Sequence, residues 1–332
     1  SQVHAVRALV LDWYAFNALV QGDERENYLL EAERAASRAF QLDPNNALAL
    51  AFYAEILTDQ QKWSQAEKYA VQAVTEAPDL MDTHRVYGYV LETLGQYNSA
   101  IQQYQKAAEI APNMTFLYVR IGQNYREGIR NPERALEYFD RAARLNEALG
   151  VENPIPYLEI AKTYTQQGEF FAASVNAEKA LSFDPTNAST YGQLGIIFIR
   201  ARNYEGAMPL LRCAVRGCSA AENEMGAVDV EGLPLTNLSV AYYYVEYGTV
   251  QAFLSRENEN YCSPPLGDAL DVLAEVRARY SDDPILMSIV ADSEGICSRL
   301  SSTSASGNRA AATPTLAPAA GAEEMPTATP TP

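Results

Sequence analysis

The chain has 332 residues, of which 48% are hydrophobic and 20% charged, so most of it is long and apolar enough to fold around a core. Its formal net charge of −17 argues against nucleic acid or an anionic membrane surface as the main partner, because both require a basic patch. No run of about 18 apolar residues occurs, so the sequence predicts no membrane span.

A period of 34 residues runs through much of the chain. Pro44, Pro78 and Pro112 stand 34 residues apart, and Gly88 and Gly122 keep the same spacing. Chance does not preserve one spacing at several independent positions, so the chain is predicted to be built from repeats.

Each period contains two stretches of helical periodicity. Apolar residues recur at i, i+3, i+4 and i+7 on two successive faces: Leu50, Tyr53, Ala54 and Leu57, then Ala66, Tyr69, Ala70 and Ala73. A turn is expected between the two helices, near Gly95 or Gly168 in later repeats. The proline then ends the second helix, since it cannot continue one.

The repeats resemble the tetratricopeptide repeat family. The third unit carries the family's characteristic residues in order: Tyr87-Gly88, Leu91, Ala100, Tyr104, Ala107 and Pro112. The fourth unit keeps the pattern with one inserted residue. This resemblance implies an all-α, right-handed α-solenoid of about seven helix-turn-helix repeats, followed by a C-terminal capping helix and an extended tail.

Four segments are expected along the chain. Residues 1–46 form a degenerate first repeat, 47–218 the regular repeats, 219–300 an irregular seventh repeat with inserted loops and the capping helix, and 301–332 an extended Ser/Thr/Pro/Ala-rich tail. In the irregular repeat, Leu235–Tyr247 and Asp268–Tyr280 are predicted to be the two helices.

All four cysteines lie in the last third of the chain: Cys213, Cys218, Cys262 and Cys297. Their spacing matches no zinc motif. A capping helix antiparallel to 268–280 would bring Cys297 towards Cys262, which leaves Cys213 with Cys218. Two disulfides would indicate a compartment outside the reducing cytoplasm, whereas four buried thiols would be compatible with the cytoplasm. The chain begins at Ser1 rather than Met, so a removed signal peptide is one expectation and a boundary chosen for expression is another.

The tail has almost no side chains with which to build a core, so it is expected to be extended, partly as polyproline II. Its composition is also typical of O-glycosylated stalks. The candidate acceptors are Thr313, Thr315, Thr327, Thr329 and Thr331. A plain disordered linker is the alternative.

No catalytic motif is present, and no cofactor or metal site is expected. In tetratricopeptide repeat proteins, the first helix of each repeat lines a groove. The resemblance assigns six residues to that partner-binding groove: Glu55, Arg85, Tyr89, Gln123, Arg126 and Lys162.

The sequence therefore favours a non-enzymatic protein-interaction scaffold. Our preferred interpretation is an extracellular or cell-surface structural protein whose copies assemble, as a fibril or surface layer, through the solenoid ends and the tail, with covalent glycans as a possible addition. The alternative is a monomeric adaptor that binds a client peptide in its groove, for which a cytoplasmic location would also fit. An enzyme is the least favoured class.

Overall fold

The computed structural model describes residues 1–15, 23–223, 225–256 and 259–305, with the backbone alone for 301–305. This part of the chain contains fifteen α-helices and no strand beyond two isolated bridges. The helices are α1 (Gln2–Ala15), α2 (Asp23–Leu42), α3 (Ala47–Asp59), α4 (Trp63–Glu76), α5 (Met81–Thr93), α6 (Tyr97–Ile110), α7 (Thr115–Gln123), α8 (Pro132–Leu149), α9 (Ile155–Gln167), α10 (Phe170–Phe183), α11 (Ala188–Arg200), α12 (Tyr204–Val215), α13 (Leu238–Leu254), α14 (Ala269–Tyr280) and α15 (Pro284–Ala305).

The helices follow one another as seven pairs and a final helix, so the predicted all-α repeat architecture is confirmed. The chain consists of two compact units, with the division at residue 163 inside α9. In the first unit α1 packs on α2, α3 on α4, α5 on α6 and α7 on α8. The first helices also contact one another, α1 with α3 and α3 with α5, and so form a layer. We call this the first-helix layer.

Local sequence accounts for the helix ends. Helices α4, α6 and α10 each end two residues before a proline, namely Pro78, Pro112 and Pro185, because the residue before a proline disfavours the helical conformation. Asn46 caps α3 by accepting a hydrogen bond from the backbone N–H of Ala49. Gly95, between α5 and α6, has φ of +72°, a conformation that glycine adopts without strain.

Small residues let the two helices of a pair approach each other. A Cβ atom added to Gly122 would lie 2.5 Å from the Phe139 ring, and one added to Gly88 would lie 2.9 Å from the Tyr104 ring. Phe139 is completely buried and Tyr104 nearly so. In these two pairs, the aromatic ring on the second helix therefore fills the space that a side chain in place of the glycine would occupy.

Replacing Gly122 by alanine is expected to lower the free energy of unfolding by about 1–3 kcal/mol, because the buried Phe139 ring must move to admit the methyl group. Urea titration followed by circular dichroism measures this change. Gly295→Ala in α15 is the matched control, since the nearest atom to its added Cβ is 3.7 Å away. Equal effects of the two substitutions would contradict the packing explanation.

The fourth repeat departs from α-helical geometry at one turn. After α7 the chain forms a π-helical segment, Asn124–Gly128, in which the backbone N–H of Ile129 donates to the carbonyl oxygen of Asn124. A π-turn holds one more residue than an α-turn. This segment therefore contains the single residue by which the Gly122–Ala135 spacing of the fourth unit exceeds the Gly88–Ala100 spacing of the third.

In the second unit, α10 packs on α11, α11 on α12, α12 on α13 and α13 on α14. The first helix of the irregular repeat differs from its predicted bounds: α13 spans Leu238–Leu254 rather than 235–247. Asn237 caps its start, and the helix continues through Gly248 because this glycine packs against Leu273 of α14. Gly248 is a crossing residue, not a helix breaker.

The end of the last helix also differs from its predicted position. The predicted extended tail begins at 301, whereas α15 continues to Ala305. Serine, threonine and alanine are all tolerated in a final helical turn, so propagation of the helix outweighs the change in composition. Residues 306–332, with the five threonines proposed as glycan acceptors, lie outside the described part of the chain. No described helix combines the length and apolar character that crossing a membrane requires.

Candidate protein-interaction surface

An ion pair joins the second and third repeats in the first-helix layer. Both terminal nitrogens of Arg85 on α5 donate to Glu55 on α3, at 3.0 and 2.7 Å. The Glu55 side chain also accepts from the Trp13 indole on α1, at 3.4 Å, and Arg85 donates to Asp82. Burial by itself lowers the pKa of Arg85, but the Glu55 carboxylate raises it above its ordinary value, so this arginine stays charged.

A second contact between the same helices involves a phenol. The Tyr89 hydroxyl donates to Asp59 at 2.5 Å. Asp12 of α1 faces the Asp59 carboxylate and is completely buried. Glu55, Asp59 and Asp12 thus form an acidic cluster in the layer, and the first two have donors from α5.

Glu92, at the end of α5, joins the third and fourth repeats. It accepts hydrogen bonds from the hydroxyl of Tyr104 at 2.9 Å, from Arg120 at 3.2 Å and from the side-chain amide of Asn124 at 2.8 Å. These three donors come from α6, α7 and the π-helical segment. Glu92 therefore holds the layer together and is not free to bind a partner.

The π-helical segment directs Arg126 into the protein. Its guanidinium pairs with Glu159 of α9 at 2.5 Å and with Glu127 at 2.9 Å, and it donates to the Thr163 hydroxyl at 3.2 Å. The guanidinium carbon also lies 5.3 Å from the centre of the Phe139 ring. Arg126 is only 5% exposed.

Two of the six predicted groove residues are consequently not on the surface. Glu55 is 4% exposed because it is covered by α1 and paired with Arg85, and Arg126 is buried by the π-turn. The assignment of these two residues to a partner-binding surface is wrong. The family resemblance assigns groove residues correctly only where the first helix is an uninterrupted α-helix and the position faces solvent, and neither residue meets both conditions.

The other four predicted residues lie on first helices and are partly buried. Arg85 and Tyr89 pair as described above, Gln123 donates to Glu159 at 3.1 Å, and Lys162 lies 3.5 Å from Glu127. Sequence reasoning missed their partners Asp59, Glu127 and Glu159. A signal existed, since these contacts join residues 30–36 positions apart, close to one repeat length.

The outer face of α1, the first helix of the chain, carries a group of exposed apolar residues. Its exposed residues lie within one arc of the helix: Val3, Val6, Val10, Trp13 and Tyr14, between 39% and 81% exposed. Arg7 lies beside them and pairs with Glu31 of α2 at 3.4 Å. Scattered apolar residues on a surface are ordinary, but a continuous apolar arc marks an interaction site.

The outer face of α15 has a different character. Its buried side consists of Leu286, Val290, Ser293 and Cys297. Most of its exposed positions carry small or polar residues, among them Ser288, Ala291, Asp292 and Ser298, whereas Ile285 in the first turn is an exposed apolar residue. This is the character that a terminal helix needs in order to close a repeat array against solvent.

The four cysteines lie in two pairs at disulfide-bonding distance. Cys213 at the end of α12 pairs with Cys218, with Cα atoms 4.8 Å apart. Cys262, in the loop before α14, pairs with Cys297 of α15, with Cα atoms 5.7 Å apart. Both separations lie within the range that a disulfide permits. No cysteine of the chain is left as a free thiol.

Comparisons with known proteins agree with this architecture. Residues 86–114 match the family model of the tetratricopeptide repeat. Over 172 residues the chain is 26% identical to anaphase-promoting complex subunit 3 of Schizosaccharomyces pombe, covering 52% of this chain and 25% of that protein. The chain thus spans about a quarter of the length of this curated relative.

Solved structures are similar over most of the chain. A tetratricopeptide repeat protein from Parabacteroides merdae has a TM-score of 0.55 at 15% identity, covering 89% of this chain and 100% of that one. The APC/C hetero-tetramer Cut9–Hcn1 gives a TM-score of 0.59 at 15% identity, covering 88% and 49%. The type IV pilus biogenesis factor PilW gives 0.52 at 20% identity, covering 64% and 91%. With the helix pairs described above, these matches identify the fold as that of a tetratricopeptide repeat protein, with residues 86–114 as a recognisable repeat.

Proposed function

We propose that this protein is a non-enzymatic structural scaffold that acts outside the cytoplasm and whose copies associate through the face of α1 and the C-terminal segment 306–332. The tetratricopeptide repeat fold is that of a protein–protein interaction scaffold. The observation that carries the finer proposal is the apolar arc on α1, whose residues remain at least 39% exposed.

A second copy of this chain is the occupant that fits the α1 face. The chain has a net charge of −17, so two copies repel each other across most surfaces. The α1 face is an exception, because its exposed residues are apolar apart from Gln2 and Arg7 and include no carboxylate. Under two-fold symmetry, Arg7 of each copy can pair with Glu31 of the other, which makes the face self-complementary.

The C-terminal segment would supply a second, different contact. Residues 306–332 could span about 80 Å if extended at ~3.1 Å per residue, enough to reach a neighbouring copy. One two-fold contact produces a dimer, whereas two different contacts per copy produce an open array. The mostly polar exposed positions of α15 favour α1 over α15 as the helix that associates.

The cysteine pairs support a location at the cell surface or outside the cell. Disulfides persist in oxidising compartments and are rare in the cytosol. All four cysteines lie at pairing distance and none is free. In an oxidising environment both pairs would form disulfides and cross-link the irregular repeat.

The double substitution Val6→Asp with Val10→Asp is expected to weaken self-association by about 100-fold or more. It removes two apolar contacts per copy and places four carboxylates in one two-fold interface. Sedimentation velocity over a range of protein concentrations measures the change. Val71→Asp on α4 is the matched control, because Val71 is a comparably exposed valine away from α1. Deleting 306–332 should leave dimers where the full chain forms larger species.

A client-binding adaptor is the second candidate function. Tyr89, Gln123 and Lys162 support it, because they are partly exposed on successive first helices and could contact a peptide. The similarity of this chain to anaphase-promoting complex subunit 3, a subunit of a protein assembly, is compatible with such a role. An adaptor predicts that the full chain sediments as a monomer at every concentration, and that outcome would reject the assembly proposal.

A further inference from the structure

Asp12 is a completely buried carboxyl group on a helix at the end of the array. It lies on the side of α1 opposite the exposed apolar arc, and α1 packs against α2 and α3. Neither of its carboxylate oxygens accepts a hydrogen bond from any described residue. A buried carboxylate without donors is costly, since burial removes the water that would otherwise solvate it.

The donors near Asp12 are committed to other groups. On α3, Asp59 accepts from Tyr89, and Glu55 accepts from Arg85 and Trp13. Arg25 of α2 acts on Asp12 with a favourable positive charge, while Asp59 and Glu55 act on it with unfavourable negative charges. Tyr89 and Arg85, both on α5, reach α3 rather than Asp12.

One bound proton changes this arrangement. Two ionised carboxylates that face each other repel and cannot hydrogen-bond, since neither has a hydrogen to donate. If Asp12 is protonated, its hydroxyl donates to Asp59, so that one of the two orphaned oxygens of Asp12 takes part in a charge-assisted hydrogen bond. We propose that a proton held between Asp12 and Asp59 fastens α1 to α3, so that α1 is docked when the pair is protonated and loosens when Asp12 ionises.

The electrostatics of the cluster agree with this proposal. Burial, and then the charge of Asp59, raise the pKa of Asp12 to about 10. Burial also raises the pKa of Asp59, to about 6, against the lowering effect of the hydrogen bonds from Tyr89 and Asp12. Burial and Asp59 raise the pKa of Tyr89 above its ordinary value, so its phenol remains a donor in the same range.

The sign of the pH dependence follows. A carboxyl group whose pKa is higher in the folded than in the unfolded chain binds its proton more tightly when folded. The contribution of this pair to α1 docking should therefore be fully present below the ordinary carboxyl pKa of 3.8 and fall as the pH rises towards about 10. Because α1 also carries the proposed association face, alkaline pH would loosen assembly too. Only that last consequence rests on the proposed function.

Asp12→Asn tests the proposal directly, since an amide donates to Asp59 without a bound proton. The melting temperature of the full chain is measured by calorimetry at pH 5, 7 and 9. We expect the variant to have a higher melting temperature than the wild type. The difference should increase by about 3 °C for each unit by which the pH rises. Asp23→Asn, at an exposed carboxyl at the start of α2, should leave the wild-type profile unchanged. If the margin stays constant across this range, the proposal is wrong.

Fluorescence of Trp13 locates the effect in α1. Trp13 and Trp63 are the two tryptophans of the chain, so Trp63→Phe makes Trp13 the single reporter. Acrylamide quenching of Trp13 should increase between pH 7 and pH 10.5 in that background and remain flat when Asp12→Asn is added. Tyrosine ionisation affects both proteins alike and so cancels. If Asp12→Asn does not fold, Asp59→Asn replaces it, because that amide donates to ionised Asp12 and should flatten the profile equally.

Sedimentation at each pH separates the two proposals. A monomeric wild type that still shows the pH-dependent quenching retains the proton-dependent docking and rejects assembly. A chain that associates through α1 but shows identical quenching profiles with and without Asp12→Asn rejects the proton-dependent docking and retains assembly.

Discussion

Arg126→Ala is expected to lower the free energy of unfolding by about 3–5 kcal/mol, one of the largest effects of any single substitution in this chain. The guanidinium is nearly inaccessible and pairs with Glu159 and Glu127 while donating to Thr163. Its removal leaves the Glu159 carboxylate, itself mostly buried, with Gln123 as its remaining described donor. Chemical denaturation followed by far-ultraviolet circular dichroism measures the loss.

Two further variants identify the cause. Arg134→Ala removes an arginine that is exposed and paired with Glu137, so a much smaller loss than that of Arg126→Ala is expected. The double variant Arg126→Leu with Glu159→Leu removes both charges and should recover much of the stability, because an apolar pair avoids the cost of burying ions. Equal losses for Arg126→Ala and Arg134→Ala would contradict the burial argument.

Replacing both Cys262 and Cys297 by alanine is expected to cost about 4 kcal/mol in the loop-entropy description of a cross-link that closes 35 residues. This link ties the loop before α14 to α15, whose partly buried Ile296 and Leu300 pack with it. Guanidinium unfolding of the oxidised protein and of the double variant gives the difference.

The second cysteine pair provides the comparison. Cys213 and Cys218 are separated by five positions, so the same description gives about 2 kcal/mol for replacing both. Mild reduction of the wild-type chain should reproduce the combined loss. An unchanged unfolding midpoint after complete reduction would show that neither pair contributes to stability.

The repeat architecture was predictable because its determinants are local and periodic. Pro78 and Pro112 end helices through their own ring geometry, and Gly88 and Gly122 stand where two helices cross. Such signals need no knowledge of distant residues. The spacing therefore predicted the helix pairs.

The site residues were less predictable because their environment depends on distant contacts. Glu55 looks like a groove residue until α1 and Arg85 are placed against it. Gly248 is a residue type that commonly ends a helix and begins a loop, yet it lies inside α13 and packs against Leu273. Asp12 is one unremarkable carboxylate in the sequence, and its role emerges only when Asp59, 47 positions later, is brought beside it.

The π-turn after α7 has a consequence for how such arrays diverge. The helix lengthens by one residue within a single turn, and the repeats on either side keep their spacing. A one-codon insertion can thus rotate the following side chains about the helix axis, moving an arginine from solvent to the interior without any amino-acid replacement. Gene comparisons that count only substitutions would overlook this route to a new buried ion pair.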